Sequence, residues 1–596
     1  MKTLLKSFLF LLLTGSLVSA SAQSYTLLLK SGYRTLPANL EDFVAAPDVQ
    51  PNELIDGKFY RFVQFYDLPS EAKKASLALM GIELLEYIPR NTFVASIPTS
   101  LDMNRLKFQG IRSISPLQST DKVHESAMTA PYPSWAVQGD SVKLIVKYRQ
   151  DISPQLAGEL FGPWASTSFM DYAPTQLKGI VVDYTEVRNI AELPFVSYVE
   201  LVPPPDEFEN IDSRTTSRGN VLDTDNNAGR EYDGTGVGVM IIDGGIVGPH
   251  IDFEGRIGST NTTSGTTSTH EDHVSGTVGG AGNLDPMNRG NAPGVEFHVY
   301  RGTSAFNSFP APYTNQFVRI TQTSLGNGCN AGYTSAAQMM DQQVITHTAL
   351  NHVFSTGNSG TSTCGNLGTG WRTITGGNKS GKGPISVGNM NNDDVINGSS
   401  SRGPATDGRL KPDVCNIGTD VTSSYPNNTY NTISGTSMAA PGISGVLAQL
   451  YHAYRNLNGG TDPDGALMKA ILLNTADDFG NPGPDFTYGW GKANALRAVR
   501  VLEDQRYLDS TISQGGTNTH TISVPSGIAK MKVMVYWKDE PASLMASPAL
   551  VNNLDIGILD PTLTVNQPWN LDAGPNPSIA SVTANAGTGQ DTLNNM

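Results

Sequence analysis

Cysteine is scarce in this chain, with Cys329, Cys364 and Cys415 as the three cysteines among 596 residues. Three cysteines do not make the disulfide framework of a small secreted scaffold. No C-x-x-C spacing occurs that would indicate a zinc site or a redox motif. One disulfide bridge is compatible with an oxidising compartment, and three unpaired buried thiols are an equally open interpretation.

Charged side chains are also few, at 16% of residues, and they leave a formal net charge of −15. This excess of acid argues against nucleic acid or an anionic membrane as the main partner. Glycine and proline are frequent, with 61 and 36 residues, which is typical of a loop-rich extracellular globular protein. A chain of this length predicts three or four domains.

Long apolar runs are missing outside the N-terminus. There, Lys2 and Lys6 flank the start of the apolar run Phe8–Leu13, which is too short to span a bilayer. Small residues at 20–22 then form a cleavage pattern, so we predict a signal peptide over residues 1–22. A buried core helix is the alternative. We expect the mature chain to be secreted, extracellular or attached to the cell surface, without a membrane span.

The region from Gln23 to about Asn210 contains an internal repeat. In each copy a strand-like segment precedes a Ser/Pro helix-start signal, at 69–70 and at 153–154. The matching strand-like segments are Arg61–Asp67 with Lys143–Arg149, Leu84–Tyr87 with Phe169–Tyr172, Phe93–Ile97 with Gly179–Asp183, and Ile111–Ile114 with Phe195–Val199. The order strand, helix, two strands, helix, strand predicts two ferredoxin-like α+β modules, at 23–125 and 126–205.

A polar linker at 206–219 follows three prolines and separates these modules from a glycine-rich region at 220–505. In that region, helical patterns alternate with buried strand-like runs at Val237–Ile242, Val295–Tyr300, His352–Ser355 and Pro384–Val387. This alternation predicts a parallel sheet covered by helices on both faces.

After Asp504 the helical patterns stop. Two strand-like segments, 519–524 and 531–537, are separated by a Pro-Ser-Gly turn and predict a β-sandwich at 506–596. Because the chain ends without a terminal turn, we expect this domain to continue beyond Met596.

An apolar strand-like run at 239–242 ends on the carboxylate of Asp243. The carboxyl edge of a parallel sheet is where such folds hold catalytic groups. Asp243 is therefore a candidate to accept the ring N–H of a histidine and to stabilise the imidazolium that forms. Taken alone the pattern is weak, because an aspartate after a strand is usually a turn residue or a helix cap.

His270 follows two hydroxyl residues that can cap a helix, and small residues come after it. This position makes His270 the candidate general base, whereas we interpret His273 as a structural histidine. The two side chains at i and i+3 could also share a helix face around a metal ion. The zincin pattern H-E-x-x-H is absent, so metal catalysis is a minor alternative.

Residues 433–442, with the sequence Ile-Ser-Gly-Thr-Ser-Met-Ala-Ala-Pro-Gly, form the most specific motif. A nucleophilic serine needs an exposed hydroxyl and a backbone N–H aimed at the developing oxyanion. A tight Gly-Thr-Ser turn that opens an Ala/Gly-rich helix supplies both. Ser437 is therefore the candidate nucleophile.

In the order Asp, His, Ser, the three segments resemble the subtilisin-like serine proteases, or subtilases. Further segments of the same kind are His250-Ile251-Asp252-Phe253, residues 399–404 and residues 488–491. The resemblance covers about residues 220–505. It implies an α/β fold with a subtilisin-like parallel sheet and a serine endopeptidase that acts on proteins or peptides.

Under this resemblance Asp243, His270 and Ser437 form the catalytic triad, and no cofactor is required for the chemistry. Asn358 matches the family's oxyanion asparagine, and loss of such a donor typically costs roughly 100- to 1000-fold in turnover. Contacts with the substrate are expected from two segments, Ser324, Leu325 and Gly326, and Ser355, Thr356 and Gly357.

Two structural expectations follow from the same resemblance. Cys329 and Cys364 would flank the substrate cleft, which makes them the candidate disulfide pair. Subtilases commonly bind calcium, but Asn283, Asp285 and Asn288 are only a weak match for such a site, because Asx-rich loops are mostly ordinary turns.

Glu271 and Asp272 depart from the family pattern, which usually has Gly-Thr after the catalytic histidine. Carboxylates suit the first turn of a helix, where the helix dipole favours negative charge. They should also favour imidazolium and raise the pKa of His270, which predicts a neutral-to-alkaline optimum. The alternative is a catalytically impaired binding protein on the same fold.

The tandem modules resemble subtilase propeptides, which assist folding and inhibit the enzyme. A large parallel sheet is rich in non-local contacts and folds slowly, so a docked module could lower the barrier. We therefore expect a zymogen whose propeptide is a partner in cis, with a maturation cut in the linker at 206–219. Alternatively, one or both modules stay attached as structural domains. The segment after Asp504 resembles the β-sandwich attached to some bacterial subtilases.

Overall fold

The computed structural model describes residues 25–203, 207–208, 216–226, 229–261, 269–329, 332–573 and 577–596. The predicted signal peptide lies outside these residues. None of the helices described is both long enough and apolar enough to cross a bilayer.

The first N-terminal module is a four-stranded antiparallel sheet with the strand order β4-β5-β3-β6, preceded by a hairpin of β1 and β2. Its elements are β1 (Thr26–Leu29), β2 (Gly32–Thr35), α1 (Leu40–Ala45), β3 (Lys58–Phe65), α2 (Glu71–Ala78), β4 (Glu83–Ile88), β5 (Thr92–Pro98) and β6 (Ile111–Ser115). The side chain of Ser70 caps α2 by accepting a hydrogen bond from the Lys73 N–H.

The second module repeats this arrangement with the order β11-β8-β10-β9 and a short strand, β7, beside β8. Its elements are α3 (Glu125–Met128), β7 (Val137–Gln138), β8 (Ser141–Tyr148), α4 (Pro154–Phe161), β9 (Ala165–Tyr172), β10 (Leu177–Asp183), α5 (Val187–Glu192) and β11 (Val196–Leu201). In both modules the fourth strand pairs with the first, and the third lies between the first and the second. This is the predicted ferredoxin-like order.

The central region contains a seven-stranded sheet with the order β14-β15-β13-β16-β18-β19-β20, and every pairing in it is parallel. The strands of the region are β12 (Glu207–Phe208), β13 (Gly238–Asp243), β14 (Ile257–Asn261), β15 (Glu296–Arg301), β16 (Val318–Thr323), β17 (Leu325–Gly326), β18 (Asn351–Ser355), β19 (Ile385–Met390), β20 (Val414–Ile417), β21 (Val421–Tyr425) and β22 (Thr429–Ile433). All four predicted runs form strands of this sheet, as expected for apolar segments buried on both faces.

Helices cover this sheet and supply its core. They are α6 (Thr269–Gly279), α7 (Ala311–Asn315), α8 (Ser335–Thr346), α9 (Thr436–Leu457), α10 (Gly465–Asn474) and α11 (Ala495–Glu503). Helix α9 is buried along nearly its whole length and packs against α6, β16, β18 and β19. Small residues permit this, because a Cβ added to Gly445 would lie 2.5 Å from the Asn291 Cβ and 2.7 Å from the Val278 carbonyl oxygen.

The two modules pack onto the central region through buried contacts. Tyr172 and Leu177 of the second module share an apolar cluster with Met240 and Ile242 of β13. Residues 542–549, from the C-terminal region, lie in another apolar cluster with β1 and with Tyr333. The N-terminal modules are therefore part of one packed body with the central sheet.

A buried charge links the two modules to the C-terminal region. The carboxylate of Glu86 accepts hydrogen bonds from the hydroxyls of Ser197 and of Ser543, the latter at 2.8 Å, and lies 3.5 Å from the Arg149 guanidinium. Burial raises the pKa of Glu86, but Arg149 and Lys147 outweigh it and hold that pKa below its usual value. The carboxylate is thus charged and depends on groups from three parts of the chain.

The C-terminal region carries sheet pairing, but at positions other than those predicted. Residues 519–524 and 531–537 form no strand. The pairing lies farther along, in β23 (Ile558–Leu559) with β24 (Val565–Asn566) and β25 (Trp569–Asn570) with β26 (Gly587–Thr588), beside α12 (Ile579–Val582). A segment of alternating apolar residues forms a strand only where the edge of another strand supplies hydrogen-bond partners for its backbone. Residues 519–524 are solvent-exposed and pair with no such edge.

The predicted disulfide is confirmed. Cys329 and Cys364 are bonded, with their Cα atoms 5.7 Å apart and a sequence separation of 35. Cys415 is a buried thiol, and burial raises its pKa well above the usual value.

The contact of α9 with the loop at Asn291 can be tested with a matched pair of glycine variants. We expect Gly445→Ala to lower the free energy of unfolding by about 1–3 kcal/mol, because the new methyl group has no room. Gly158 lies in α4 with open space around a new Cβ, so Gly158→Ala should raise stability by roughly 0.5–1 kcal/mol. Denaturant unfolding measures both, and equal effects would contradict the packing argument.

Candidate active site

Asp243 and His270 form a buried hydrogen-bonded pair at the carboxyl edge of the sheet. Asp243 is the last residue of β13, and His270 lies in the first turn of α6. The distance from His270 Nδ1 to Asp243 Oδ2 is 2.8 Å, and the other carboxylate oxygen accepts the Gly244 N–H at 2.8 Å. The carboxylate thus holds the proton of a neutral ring on Nδ1, so the ring lone pair lies on Nε2 and can accept a proton.

Ser437 is the second residue of α9 and is held against Ser324 by two reciprocal hydrogen bonds. The Ser437 hydroxyl donates to the Ser324 carbonyl at 3.0 Å, and the Ser324 hydroxyl donates to the Ser437 carbonyl at 2.7 Å. Pro441 explains the second bond: it lies inside α9 and lacks the N–H that would otherwise bond the Ser437 carbonyl. The sequence predicts an exposed hydroxyl, whereas Ser437 is fully covered in this structure.

Asn358 lies beside the start of the same helix. Its side-chain carbonyl accepts the Thr436 N–H at 2.9 Å and the Thr436 hydroxyl at 3.2 Å. These bonds orient the amide, so that its NH₂ end is directed away from Thr436. An amide N–H fixed next to a candidate nucleophile is the geometry that an oxyanion donor requires.

Gly357 has to be glycine at its position. Its φ of +115° lies in the left-handed region, and a side chain there would collide with Thr375. Its N–H donates to the Thr436 hydroxyl at 3.1 Å. The segment 355–358 is therefore attached to the residue that precedes Ser437.

The predicted substrate edge already carries a strand. Leu325 and Gly326 form β17, which pairs antiparallel with β12 from the linker, with Glu207 opposite Gly326 and Phe208 opposite Leu325. Of the predicted linker, the structure describes residues 207–208 and 216–219. Backbone from the linker thus lies along this edge.

Glu271 and Asp272 point to different places. The Glu271 carboxylate accepts the Gly245 N–H, and one ligand atom each of Asp243, His270 and Glu271 lie within 4.8 Å of one another. Asp272 accepts the Gly248 N–H at 2.6 Å, and burial raises its pKa to about 6. Only the first of the two carboxylates therefore joins the cluster around the imidazole.

The other polar residues singled out from the sequence hold the site together. His273 is buried, with its Nε2 bonded to the carbonyls of Val421 and Asn431 at 3.3 and 3.1 Å, and burial lowers its pKa to about 3. Asp252 accepts the hydroxyls of Ser424 and Tyr430, both at 2.9 Å. These bonds tie the hairpin of β21 and β22 to α6, through His273, and to the segment 251–253, through Asp252.

The three residues of the weak calcium match take part in hydrogen bonds within the protein. Asp285 bonds to the Met287 N–H and to the Asn288 side chain, and the Asn283 side chain donates to the Ile251 carbonyl. Asp285 and Asn288 thus bond within one turn, whereas Asn283 joins this loop to the segment at Ile251. Among the residues that the structure describes, the His/Cys/Asp/Glu group close enough to hold a metal ion is Asp243, His270 and Glu271.

Sequence reasoning missed Lys379, which lies behind the predicted substrate segment. This lysine is 2% exposed, and its ammonium donates to the Thr375 hydroxyl at 2.7 Å and to the Ser355 hydroxyl at 3.4 Å. The available signal in the sequence was a lysine within a run of small and polar residues, Gly376-Gly377-Asn378-Lys379-Ser380-Gly381.

The raised pKa of Asp272 predicts a pH-dependent stability. Its folded pKa of about 6 exceeds the unfolded value, so the buried charge destabilises the fold above about pH 6 and this cost fades toward pH 4. We expect the free energy of unfolding of Asp272→Asn to exceed that of the parent by up to about 3 kcal/mol near pH 8 and to equal it near pH 4. Denaturant unfolding at the two pH values measures this difference. Asp393→Asn, at an exposed carboxylate, is the control. A difference that does not change with pH would contradict the assignment.

Comparison with known proteins agrees with this geometry. The model of the Subtilase family matches residues 234–491, which include all three triad candidates. A second model, described as a domain of unknown function (DUF8729), matches residues 28–118.

Three curated relatives are similar over parts of the chain. A protein of Dictyostelium discoideum named serine protease/ABC transporter B family protein tagA is 28% identical over 194 residues, 26% of this chain and 11% of that protein. Alkaline serine exoprotease A of Vibrio alginolyticus is 28% identical over 316 residues, 51% of this chain and 54% of that protein. Subtilisin DY of Bacillus licheniformis is 27% identical over 282 residues, 45% of this chain and 93% of that protein.

The chain therefore matches about a tenth of the first relative and about half of the second. The match to the third covers almost all of that protein. Residues 234–491 therefore form a domain of the subtilase family.

Proposed function

We propose that this chain is a secreted serine endopeptidase that hydrolyses peptide bonds through an acyl-enzyme intermediate. The observation that carries the proposal is the Asp243–His270 pair, at 2.8 Å, on the sheet edge where α9 also presents Ser437. The family membership and the extracellular type of composition support it. The substrates are proteins or peptides.

In the proposed reaction, His270 takes the proton of the Ser437 hydroxyl while the oxygen attacks the peptide carbonyl. Before this step, the hydroxyl has to turn from the Ser324 carbonyl toward His270. Asp243 keeps the ring oriented and stabilises the imidazolium. The Asn358 amide and the Ser437 N–H, at the start of α9, bind the oxyanion. His270 then protonates the leaving amine, and water hydrolyses the acyl-enzyme.

The chain is also proposed to be a zymogen that inhibits itself through its linker. The pairing of β12 with β17 supports this, because a peptide substrate that adds a strand to that edge would have to displace it. A cut in the linker would open the edge but would leave the modules held by buried contacts, such as Glu86 with Ser543 and Glu200 with the Ser335 N–H at 2.9 Å. We therefore expect the modules to remain bound for a time after the cut.

Loss of the Ser437 hydroxyl is the first test. We expect Ser437→Ala to abolish hydrolysis of casein and labelling by a serine-directed covalent inhibitor, because the nucleophile is gone. The same variant should keep its linker intact in N-terminal sequencing, whereas the parent should show a new N-terminus within 206–219. Ser434→Ala, at an exposed serine three residues earlier, should behave like the parent.

Two results would contradict the proposal. Hydrolysis that survives in Ser437→Ala would show that another group performs the chemistry. A folded parent protein that neither hydrolyses casein nor reacts with the inhibitor would favour the binding-protein alternative. Glu271, which lies beside the Asp243–His270 pair, would then be the first residue to test as the cause of the inactivity.

The Glu271 carboxylate should shift the pH dependence of the reaction. A negative charge beside His270 favours its protonated form, which is inactive as a base. We expect Glu271→Gln to move the acid limb of the kcat/KM profile to lower pH by roughly 0.5–1 unit. Glu254→Gln, at an exposed carboxylate, should leave the limb in place. Coinciding profiles for Glu271→Gln and the parent would show that Glu271 has no electrostatic role.

A further inference from the structure

A lysine and an aspartate from distant parts of the chain meet in the interior of the protein. Lys382 lies just before β19, and Asp539 lies just before the buried stretch 542–546 of the C-terminal region. The distance from Lys382 Nζ to Asp539 Oδ2 is 2.5 Å, and both side chains are inaccessible to solvent. Condensation of an amine with a carboxyl group releases water, so a site that excludes water favours it.

The Lys382 side chain is held in the orientation of an attacking amine. Its ammonium group has three N–H donors, of which two bond to the backbone carbonyls of Glu540, at 2.5 Å, and Ala549, at 2.8 Å. The third is shared with Asp539. When that proton passes to the carboxylate, the pair becomes neutral and no charge remains buried. The lone pair left on the nitrogen then faces the carboxyl group, as a nucleophilic lysine requires.

The Asp539 carboxyl group is surrounded by hydrogen-bond donors. The Val551 N–H donates to Oδ2 at 2.8 Å, and the Asn552 N–H donates to Oδ1 at 2.7 Å. The Asn552 side-chain amide also donates to Oδ1, at 3.1 Å. Donors fixed on both oxygens polarise the carboxyl carbon, and they stabilise the negative charge that forms on oxygen when an amine attacks.

A second carboxyl group, Asp341 in α8, lies next to the lysine. Its Oδ1 accepts the N–H of Gly383, the residue after Lys382, at 2.8 Å. Its Oδ2 accepts the Tyr333 hydroxyl at 2.8 Å, and the centre of the Tyr333 ring is 5.7 Å from Lys382 Nζ. Burial raises the pKa of Asp341 even though Lys382 opposes this rise. Asp341 therefore takes up and returns a proton more readily than an ordinary aspartate.

Another buried lysine–aspartate pair shows what is particular to this one. Lys411 Nζ also lies 2.5 Å from a carboxylate oxygen, that of Asp413, but Lys469 contacts the other oxygen at 2.9 Å. Burial raises the pKa of Asp413, but the two lysines outweigh it and lower that pKa to about 2. The Asp413 carboxylate thus keeps its charge, which makes its carbon a poor target for an amine.

We propose that Lys382 and Asp539 are joined by an intramolecular isopeptide bond, which links the C-terminal region covalently to the central region. After the proton has passed from Nζ to the Asp539 carboxylate, the nitrogen lone pair attacks Cγ and the C–N bond forms. Asp341 takes a proton from the nitrogen and gives one to the departing hydroxyl. The C–O bond breaks and one water molecule leaves. No other reactant is consumed, nothing is oxidised or reduced, and Ser437 takes no part.

The intact mass of the reduced and denatured chain tests this proposal. The measurement uses the full chain with Ser437→Ala, so that peptidase activity at this serine does not cut the sample, and its N-terminus is determined by sequencing. We expect a mass that is lower than the sequence predicts by one water molecule. A proteolytic digest should contain one branched peptide that joins the segment of Lys382 to the segment of Asp539.

Three further variants of the same chain are informative. Lys382→Arg keeps the positive charge but presents no amine, so it should show the full sequence mass. Lys58→Arg, in an ion pair with Glu83 near the surface, should lose water like the parent. Asp539→Asn should lose ammonia in place of water and reach the parent's final mass, because both routes give the same amide. If Lys382→Arg fails to fold, the branched peptide still decides the question.

Two results would overturn the inference. A chain with Lys382 and Asp539 intact that shows its full sequence mass after reduction contains no isopeptide bond, and the pair is then an ordinary buried ion pair. A loss of water that maps to other residues, such as Lys411 and Asp413, would show that the bond lies elsewhere. Neither result bears on the proposed peptidase function, because the mass is measured without the Ser437 hydroxyl.

Discussion

The close packing of helix α9 against the central sheet is the constraint on which the rest of this structure depends. The helix begins with Thr436 and Ser437 at the sheet edge and then runs through the core beside α6. Its small residues allow this approach, and α6 needs a glycine as well, because a Cβ on Gly276 would collide with the β21 serines. The positions of His270 and Ser437 both follow from this packing, since each lies in the first turn of one of these helices.

Burial also forces the polar groups of the site to find partners within the protein. The proline inside α9 leaves the Ser437 carbonyl without its helical donor, and Ser324 supplies a hydroxyl instead. The Asp243 carboxylate is satisfied by His270 and by the N–H of Gly244. Each bond that satisfies a buried group also fixes a side chain that the proposed reaction uses. Stability and preorganisation of the site thus have the same source.

The contacts of the N-terminal modules connect folding with the proposed regulation. Glu86, Glu200 and residues 542–549 bury polar and apolar groups between the modules, the central region and the C-terminal region. A module held in this way can stabilise the sheet before the proposed cut in the linker. Its departure would leave a buried carboxylate without its partners, so release costs more than the cut alone.

How much of this molecule could be predicted from the sequence depended on the range of the interactions. The module strands, the strands of the parallel sheet and the caps at Ser70 and Ser153 were predictable, because local periodicity and capping chemistry set them. The predicted strands at 519–524 and 531–537 failed for the opposite reason. A strand depends on a partner edge elsewhere in the chain, and alternation alone cannot supply one.

The same division holds for the candidate site. The sequence by itself determined the candidates Asp243, His270, Ser437 and Asn358, because each lies in a local motif whose residue types suit the chemistry. Only the tertiary structure decided that Glu271 lies beside the Asp243–His270 pair while Asp272 bonds to the Gly248 N–H. It also decided that the Lys379 ammonium bonds to the Ser355 hydroxyl. Those relations join residues on separate strands and helices, and their distances are set by how the elements pack, which no local pattern encodes.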